Sequence, residues 1–373
     1  MLEETSIVAE MPPPVETQQP IPNMQNEEEE EEAYYLYANS LATSVVLPMA
    51  MRTAVELDVF EIIGKAGPGA KLSALEIATQ IPTRNPNAPA MLDRILRLLA
   101  SYRVLDCSVS GPERLYGISP VSKYFVTNED GVSLAPLLLL FLQSVFLESW
   151  PLLKDTIIEG GIPFNKVHGM HFFEYVAVNE KLNNAYNKAT FNHTTTVMKR
   201  TLESYKGFEQ LQQLVDVGGG LGMTLDIITS KYPHIKAINF DLPHVIKDAP
   251  SYPRVEHISG DMFQSVPNGD AIFMKWVLNF CDDDHCLRLL KNCHRAIPDN
   301  GKVIVMNAVM PVVPEIRDAG RDASNVDVFL LMRADGGTER TKEEFMALAS
   351  RSGFKGINFV CCVCNYYIME FYK

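Results

Sequence analysis

Leu214-Val215-Asp216-Val217-Gly218-Gly219-Gly220-Leu221-Gly222 is the stretch on which the reading of the chain turns. An apolar run with a single acid in it, leading at once into closely spaced glycines, reads as a buried strand entering a loop. Glycine permits left-handed backbone angles there and lets a ligand approach main-chain N–H groups. A helical pattern, Met223–Tyr232, comes next. Gly218, Gly220 and Gly222 are spaced G-x-G-x-G, whereas the dinucleotide fingerprint needs its last glycine one position later, where Met223 stands. The loop therefore acquires its meaning from the strands on its C-terminal side.

Working towards the C-terminus, apolar strand-like runs at Leu214–Val217, Ala237–Phe240, Val255–Ile258, Ala271–Trp276 and Val303–Met306 alternate with helical patterns near Met223–Tyr232, His285–Ala296 and Lys342–Ser352. Such alternation predicts an α/β domain with a doubly wound, Rossmann-like parallel sheet over residues 206–373. Gly356–Cys362 and Tyr366–Tyr372 have no helix between them, so this last pair is expected to be antiparallel, at an edge or inserted into the sheet. Asp241 closes the second strand, where a carboxylate can accept hydrogen bonds from both hydroxyls of a ribose. Asp261 and Met262 come after the third, suited to an exocyclic amine and the face of a purine. With no Walker sequence and no phosphate-binding lysine in the loop, three agreeing strand ends point to adenosine without phosphates, which means S-adenosylmethionine.

Towards the N-terminus, residues 34–128 read as a helical module. A broad apolar helix runs from Tyr34 to about Gly64. After it come Ser73–Ile81 with a Ser73/Glu76 capping box, then Asn87–Ser101 with Met91, Leu92, Ile95, Leu98 and Leu99 inward, and then a hairpin from Val104–Ser108 and Arg114–Ile118. This is a winged-helix order, but no basic stripe accompanies it, so nucleic acid is not expected as a partner. The wide apolar first helix suits a dimerisation surface. Residues 129–205 are helical and aromatic-rich, fit to wall a small-molecule pocket between modules.

The chain has 373 residues, 47% apolar and 21% charged, which excludes fibrous and wholly disordered classes. Its net charge of −13 is local: residues 1–32 contain ten Glu and no basic residue, and are rich in Pro and Gln, so residues 1–33 read as a disordered acidic tail. The seven cysteines form no disulfide framework, and Cys361-Cys362-x-Cys364 lacks a second ligand pair at zinc spacing, so no metal is expected. No signal segment or transmembrane run is apparent, and a cytoplasmic protein without a membrane partner is expected.

The segments Val215-Asp216-Val217-Gly218-Gly219-Gly220, Asn239-Phe240-Asp241-Leu242-Pro243-His244-Val245, Gly260-Asp261-Met262-Phe263, Met274-Lys275-Trp276 and Gly336-Gly337-Thr338-Glu339-Arg340-Thr341 resemble the plant caffeic-acid O-methyltransferase-type family. Val305-Met306-Asn307 and Gly356–Asn365 resemble its anthranilate N-methyltransferase subgroup. The resemblance covers residues 34–373. It implies a class I S-adenosylmethionine-dependent methyltransferase domain, an N-terminal winged-helix dimerisation domain and a homodimer. Cofactor contacts would fall on Gly218, Asp241, Asp261, Met262 and Lys275. The acceptor pocket would be lined by Phe141, Phe146, Phe172, Val176, Tyr186, Thr190, His193, Leu330 and Ala334.

The chain departs from that family at its chemistry. Where the O-methyltransferases carry the His that deprotonates a phenol, this sequence has Asn279; of the two carboxylates that steer the His, one matches Glu339 and the other falls at Asn307. A phenol with a pKa near 10 gains roughly 10²–10⁴-fold from a poised base. An aromatic amine already has its lone pair. The expectation is N-methylation of a small aromatic amine such as anthranilate, with Asn279, Asn307 and Glu339 as the catalytic set. An O-methyltransferase of an acidic phenol or a caffeic-acid-like catechol, and a catalytically silent dimer partner, are the alternatives. A carboxylate on the acceptor would have His193 or Arg333 as its counter-charge.

Overall fold

The computed structural model describes residues 27–373. The Pro- and Gln-rich part of the acidic tail, residues 1–26, lies outside the described residues. Glu27–Ala33, read from sequence as part of that tail, instead belong to helix α1 (Glu27–Ala42). A Glu run at a helix N-terminus is favoured both by propensity and by the helix dipole, so the helix starts earlier than hydrophobic periodicity alone suggests. Residues 27–46 form a compact unit of their own, on which Tyr34, Tyr35, Leu36, Tyr37 and Leu41 are exposed.

The single long helix expected to Gly64 is three. After α1 come α2 (Val46–Glu56) and α3 (Val59–Lys65), the latter entered through Asp58 at φ 54°. A left-handed residue there ends one helical axis and starts another. Strand β1 (Lys71–Ser73) leads to α4 (Ala74–Ala78), whose expected capping box is present: Ser73 N–H donates to Glu76 Oε2 at 2.7 Å and Glu76 N–H to Ser73 Oγ at 3.3 Å. In α5 (Ala88–Ser101), Leu92, Leu96 and Leu99 are buried and Met91 is 56% exposed. The inward stripe runs i, i+4, i+7 from Leu92, which leaves Met91 outside it. Strands β2 (Leu105–Ser110) and β3 (Glu113–Ile118) form the hairpin, and β1 pairs with β3 to complete a three-stranded sheet.

Residues 129–205 are helical: α6 (Ala135–Phe141), α7 (Ser144–Leu147), α8 (Leu153–Glu159), α9 (Pro163–His168), α10 (Phe172–Val178) and the 25-residue α11 (Glu180–Ser204). Among the described residues no single helix is long and apolar enough to cross a membrane.

The C-terminal part is built on β4 (Gln213–Val217), α12 (Met223–Lys231), β5 (Lys236–Asp241), α13 (Pro243–Lys247), β6 (Val255–Ser259), β7 (Ala271–Lys275), α14 (Asp283–Ala296), β8 (Lys302–Asn307), β9 (Val309–Met310), α15 (Asp318–Arg333), β10 (Arg340–Thr341), α16 (Lys342–Ser352), β11 (Gly356–Val363) and β12 (Tyr366–Tyr372). The seven-stranded sheet has the order β11-β12-β8-β7-β4-β5-β6. β4, β5, β6, β7 and β8 are parallel. β12 inserts antiparallel between β8 and β11, which leaves β11 at the edge. Two apolar layers sandwich the sheet, one around α14 and α16 and the other around α11 and α12. Parallel strands covered on both faces need side chains that are apolar in both directions, which explains the apolar runs Ala271–Met274 in β7 and Val303–Met306 in β8. Helix α15 and strands β9 and β10 are not legible in the sequence. The polar sequence of α15 hides a narrow stripe, Ala323, Phe329, Leu330 and Met332, and two-residue strands leave no periodicity to read.

Candidate active site

The parallel arrangement of β4 to β7 brings their C-terminal ends to one side of the sheet, next to the point where the strand order reverses. The glycine loop after β4 is built as its spacing suggests. Gly218, Gly220 and Gly222 have φ of 70°, 58° and 84°, in the left-handed region. Gly219 is required for a different reason, since a Cβ there would stand 2.2 Å from Asn239 Oδ1.

Asp241, at the end of β5, accepts hydrogen bonds from Gly220 N–H at 2.8 Å and Leu242 N–H at 2.7 Å. Burial raises its pKa and those two backbone bonds oppose the rise. Asp261 accepts from Phe263 N–H at 2.9 Å, and Met262 is half-buried, its carbonyl held by Asn292 Nδ2 at 2.8 Å. Lys275 ends β7 with its Nζ 3.3 Å from the centroid of the Trp276 ring. Burial lowers this lysine to about 7, against the pull of Asp216. Gly218, Asp241, Asp261, Met262 and Lys275 therefore share the strand-end side of the sheet.

Two residues here escape a reading of the sequence. Asp216 is sealed inside β4, raised to about 8 by burial, and its Oδ2 has no partner. Asn239, equally buried, donates to Gly220 O at 2.9 Å and leaves its Oδ1 free. An acid inside an apolar strand is the available signal, because a buried charge is tolerated only where something offsets it. These orphaned acceptors, the left-handed glycines and the acid closing β5 suit a nucleoside whose remaining substituent is cationic. The loop offers no lysine for a phosphate.

The catalytic candidates meet on the other side of β7. A one-turn helix, Leu278–Phe280, presents Asn279, and Arg340 pins that turn from within. Its Nη1 donates to Leu278 O at 2.7 Å and its Nη2 to Cys281 O at 2.8 Å, with Asp283 as its ion-pair partner. The Gly336–Thr341 motif contains Arg340 without revealing this role, since buried multidentate anchoring by Arg leaves no local pattern. Asn279 Nδ2 donates to Glu339 Oε1 at 2.7 Å, which leaves Asn279 Oδ1 buried and unpartnered. Burial first, and then the nearby Asp327, push Glu339 up to about 7, opposed by Asn279. Glu339 Oε2 is also without a partner. Asn307, at the end of β8, lies close enough to lower the Glu339 pKa, yet neither of its amide atoms is in hydrogen-bonding geometry with a protein group. Among the described residues, no imidazole joins this cluster.

The helical segment supplies an aromatic wall. Phe329 on α15 lies 4.4 Å from Phe141 and 5.0 Å from Phe146, ring to ring; Phe172 lies 5.7 Å from both Phe146 and Tyr186. Val176 is buried in the same cluster and Thr190 sits beside Tyr186. The remaining pocket candidates are placed otherwise. Leu330 is fully buried and Ala334, just past α15, is half-buried. His193 stacks on Trp276 at 4.7 Å, and burial together with Lys275 lowers it to about 3, so the imidazole is neutral. Phe329 and Arg333, one turn apart on α15, face the wall. Phe329 is not recognisable from sequence, since an i, i+4 pair in a mostly polar helix is a weak signal.

Comparison with known proteins bears on the family and the fold. Residues 150–355 match the family model of an O-methyltransferase domain, and residues 39–128 that of an O-methyltransferase dimerisation domain. The anthranilate N-methyltransferase of Ruta graveolens is 61% identical over 93% of this chain and 95% of that protein. The caffeic acid 3-O-methyltransferase 1 of Populus kitakamiensis is 54% identical over 92% and 95%. Among solved structures, human N-acetylserotonin methyltransferase in complex with SAM superposes with a TM-score of 0.75 at 19% identity, covering 95% of this chain and 99% of that one. At that identity the likeness concerns the fold.

Proposed function

The chain belongs to the plant caffeic-acid-type O-methyltransferase family, a methyltransferase fold with an N-terminal dimerisation domain, and on that premise we propose that it moves a methyl group from S-adenosylmethionine to the nitrogen of a small aromatic amine such as anthranilate. The observation that carries the reading is Asn279. By the resemblance of its flanking motifs it stands where the O-methyltransferases carry their base, it cannot take a proton, and it is hydrogen-bonded to Glu339. The apolar residues exposed on α1 and the dimerisation-domain match support a homodimer.

Asp241, Asp261, Met262, Lys275 and the glycine loop would hold S-adenosylmethionine, with Asp216 and Asn239 behind the loop. Bound there, it supplies a methyl group on a positively charged sulfur. The chain's own residues arrange the acceptor. Because Glu339 in its ionised form only accepts, Asn279 must donate its Nδ2–H to it, and Asn279 Oδ1 is left to accept an N–H of the incoming amine. One hydrogen bond to one N–H turns the nitrogen lone pair away from the amide, an orientation effect of the kind that holding reactants in line provides. The aromatic wall stacks on the ring and keeps water out. Once alkylated, the nitrogen is cationic and must release a proton. Glu339 Oε2, unpartnered and pushed up to about 7, is the proton acceptor within this cluster.

A second reading, methylation of a phenol, is favoured by the same Glu339, which could serve as a base in place of the missing imidazole. The test is direct. The purified protein is incubated with methyl-labelled S-adenosylmethionine and either anthranilate or caffeic acid, and the methylated position is assigned by mass spectrometry. N-methylanthranilate is expected. A methylated catechol as the faster product would overturn the amine assignment, and cofactor binding without any product would point to a silent partner.

A further inference from the structure

We propose that Arg333 is the counter-charge for an anionic substituent of the methyl acceptor, and that the enzyme consequently selects aromatic acids over otherwise identical neutral amines. This rests on the reading of the aromatic wall as the acceptor pocket, and it adds a charge requirement that the wall by itself does not impose.

The guanidinium of Arg333 lies among three rings, with its central carbon 4.6 Å from the centroid of Phe172, 4.6 Å from that of Phe280 and 4.9 Å from that of Phe329. Its Nε and Nη1 are sealed from solvent without any hydrogen-bond partner, and no carboxylate among the described residues forms an ion pair with it. Ring faces attract the cation through their quadrupoles, but they do not satisfy N–H donors that point past them. Desolvated cationic donors without acceptors are costly, and in folded proteins such groups are paired or bind a ligand. Burial correspondingly works against the charge, and the phenol of Tyr186 is the neighbour that favours it.

Position gives this unpaired cation a use. Phe280, under the guanidinium, directly succeeds Asn279 in the one-turn helix that Arg340 clamps. The charge and the free Asn279 Oδ1 thus belong to neighbouring points of one rigid wall, as a planar ring carrying both an amine and a carboxylate would require. Arg is the side chain suited to such a partner, since its charged N–H groups match carboxylate oxygens at fixed geometry. The other cationic candidate, His193, is turned to Trp276 and Tyr366 instead.

The experiment compares anthranilate with 2-aminobenzamide, its neutral isostere, by equilibrium calorimetry on the intact dimer saturated with S-adenosylhomocysteine, in the wild type and in Arg333→Gln and Arg333→Lys. Arg333→Gln is expected to weaken anthranilate about 30-fold or more, the loss typical of a buried charged partner, and to change 2-aminobenzamide less than about threefold. Arg333→Lys should recover part of the loss. Unchanged S-adenosylhomocysteine affinity and melting temperature would show that the variants are folded. Equal losses for both ligands, or no loss for anthranilate, would overturn the proposal. Salicylate, which has a hydroxyl in place of the amine, separates the two readings. If salicylate is the faster methyl acceptor and its binding also depends on Arg333, the amine assignment fails and the role of Arg333 stands. If both neutral and anionic amines are N-methylated without regard to Arg333, the amine assignment stands and this proposal fails.

Discussion

The strand-end cradle and the acceptor wall, on neighbouring sides of β7, treat their polar groups in opposite ways. In the cradle, Asp241 is tied to two backbone N–H groups, Asn239 to Gly220 O, and Asp261 to Phe263 N–H. Asn239 Oδ1 and, behind the loop, Asp216 Oδ2 are the cradle atoms left without a protein partner among the described residues. On the acceptor side, Asn279 Oδ1, Glu339 Oε2, both amide atoms of Asn307 and two nitrogens of Arg333 are buried with nothing to bind. An unmade buried hydrogen bond costs about 1–3 kcal/mol, and more for a charged group. A folded protein tolerates several of them together where a ligand completes them. The contrast teaches that the cradle is held largely by the chain's own bonds, while the proposed acceptor side concentrates buried groups that the chain leaves unsatisfied.

The most severe way to break the comparison is to damage the half held by the chain's own bonds. Gly219→Ala would put a Cβ 2.2 Å from Asn239 Oδ1 and 2.8 Å from the Asp216 carboxyl. Overpacking of this kind costs about 1–3 kcal/mol or more, so S-adenosylhomocysteine affinity should fall on the order of 100-fold by calorimetry. An unchanged affinity would mean that the loop can relax and is less rigid than its geometry implies.

A smaller effect sharpens the other half. Asn279→His restores an imidazole next to Glu339, and methylation of a catechol should rise about tenfold or more, the lower range of a general base, while N-methylation falls. If both rates move together, Asn279 is a packing residue and not the determinant of the nucleophile.

Glu339→Gln tests the proton acceptor. With Glu339 held up to about 7, wild-type kcat for the amine should climb as pH rises through that value, and the variant should lose this limb of the profile with a drop of about tenfold. Stability has the opposite sign. The folded-state pKa lies above the usual carboxylate value, so the native protein binds the extra proton between about 4.5 and 7. The unfolding free energy of the wild type therefore falls as pH rises across that window, by on the order of 3 kcal/mol from this group. The variant should show a correspondingly flatter dependence in chemical denaturation at several pH values.

The smallest expected effect is at Cys362. It is exposed on the edge strand β11, and no group of His, Cys, Asp or Glu able to hold a metal is found among the described residues. Cys362→Ser should leave kcat/KM within about twofold, as exposed substitutions away from a site generally do. A large loss would call for a chemistry in which the cysteine cluster participates.

The cradle is legible in the sequence because its function is local. A glycine that must take a left-handed angle, and an acid at the end of a strand, are specified by their neighbours in the chain, so Gly218, Asp241 and Asp261 can be picked out by spacing. Asp216 and Asn239 are harder, because their importance lies in what is missing around them. The acceptor wall is legible only in composition. Phe141, Phe146, Phe172 and Tyr186 can be assigned to a pocket through the family resemblance, yet the ring of Phe329 that joins them, and the guanidinium of Arg333 enclosed by Phe172, Phe280 and Phe329, come from a helix whose sequence is mostly polar.

By itself, then, the amino-acid order determined the alternation of strand and helix, the insertion or edge position of the last strand pair, and the glycine loop. These are properties of periods and neighbours within about ten residues, the range over which backbone sterics and hydrophobic patterning act. Tertiary structure alone decided that Arg340 braces the turn carrying Asn279, that His193 is spent on stacking, and that two nitrogens of Arg333 are sealed without a partner. Each of these depends on desolvation by residues far away in the chain, and burial is a quantity that no local stretch of sequence contains.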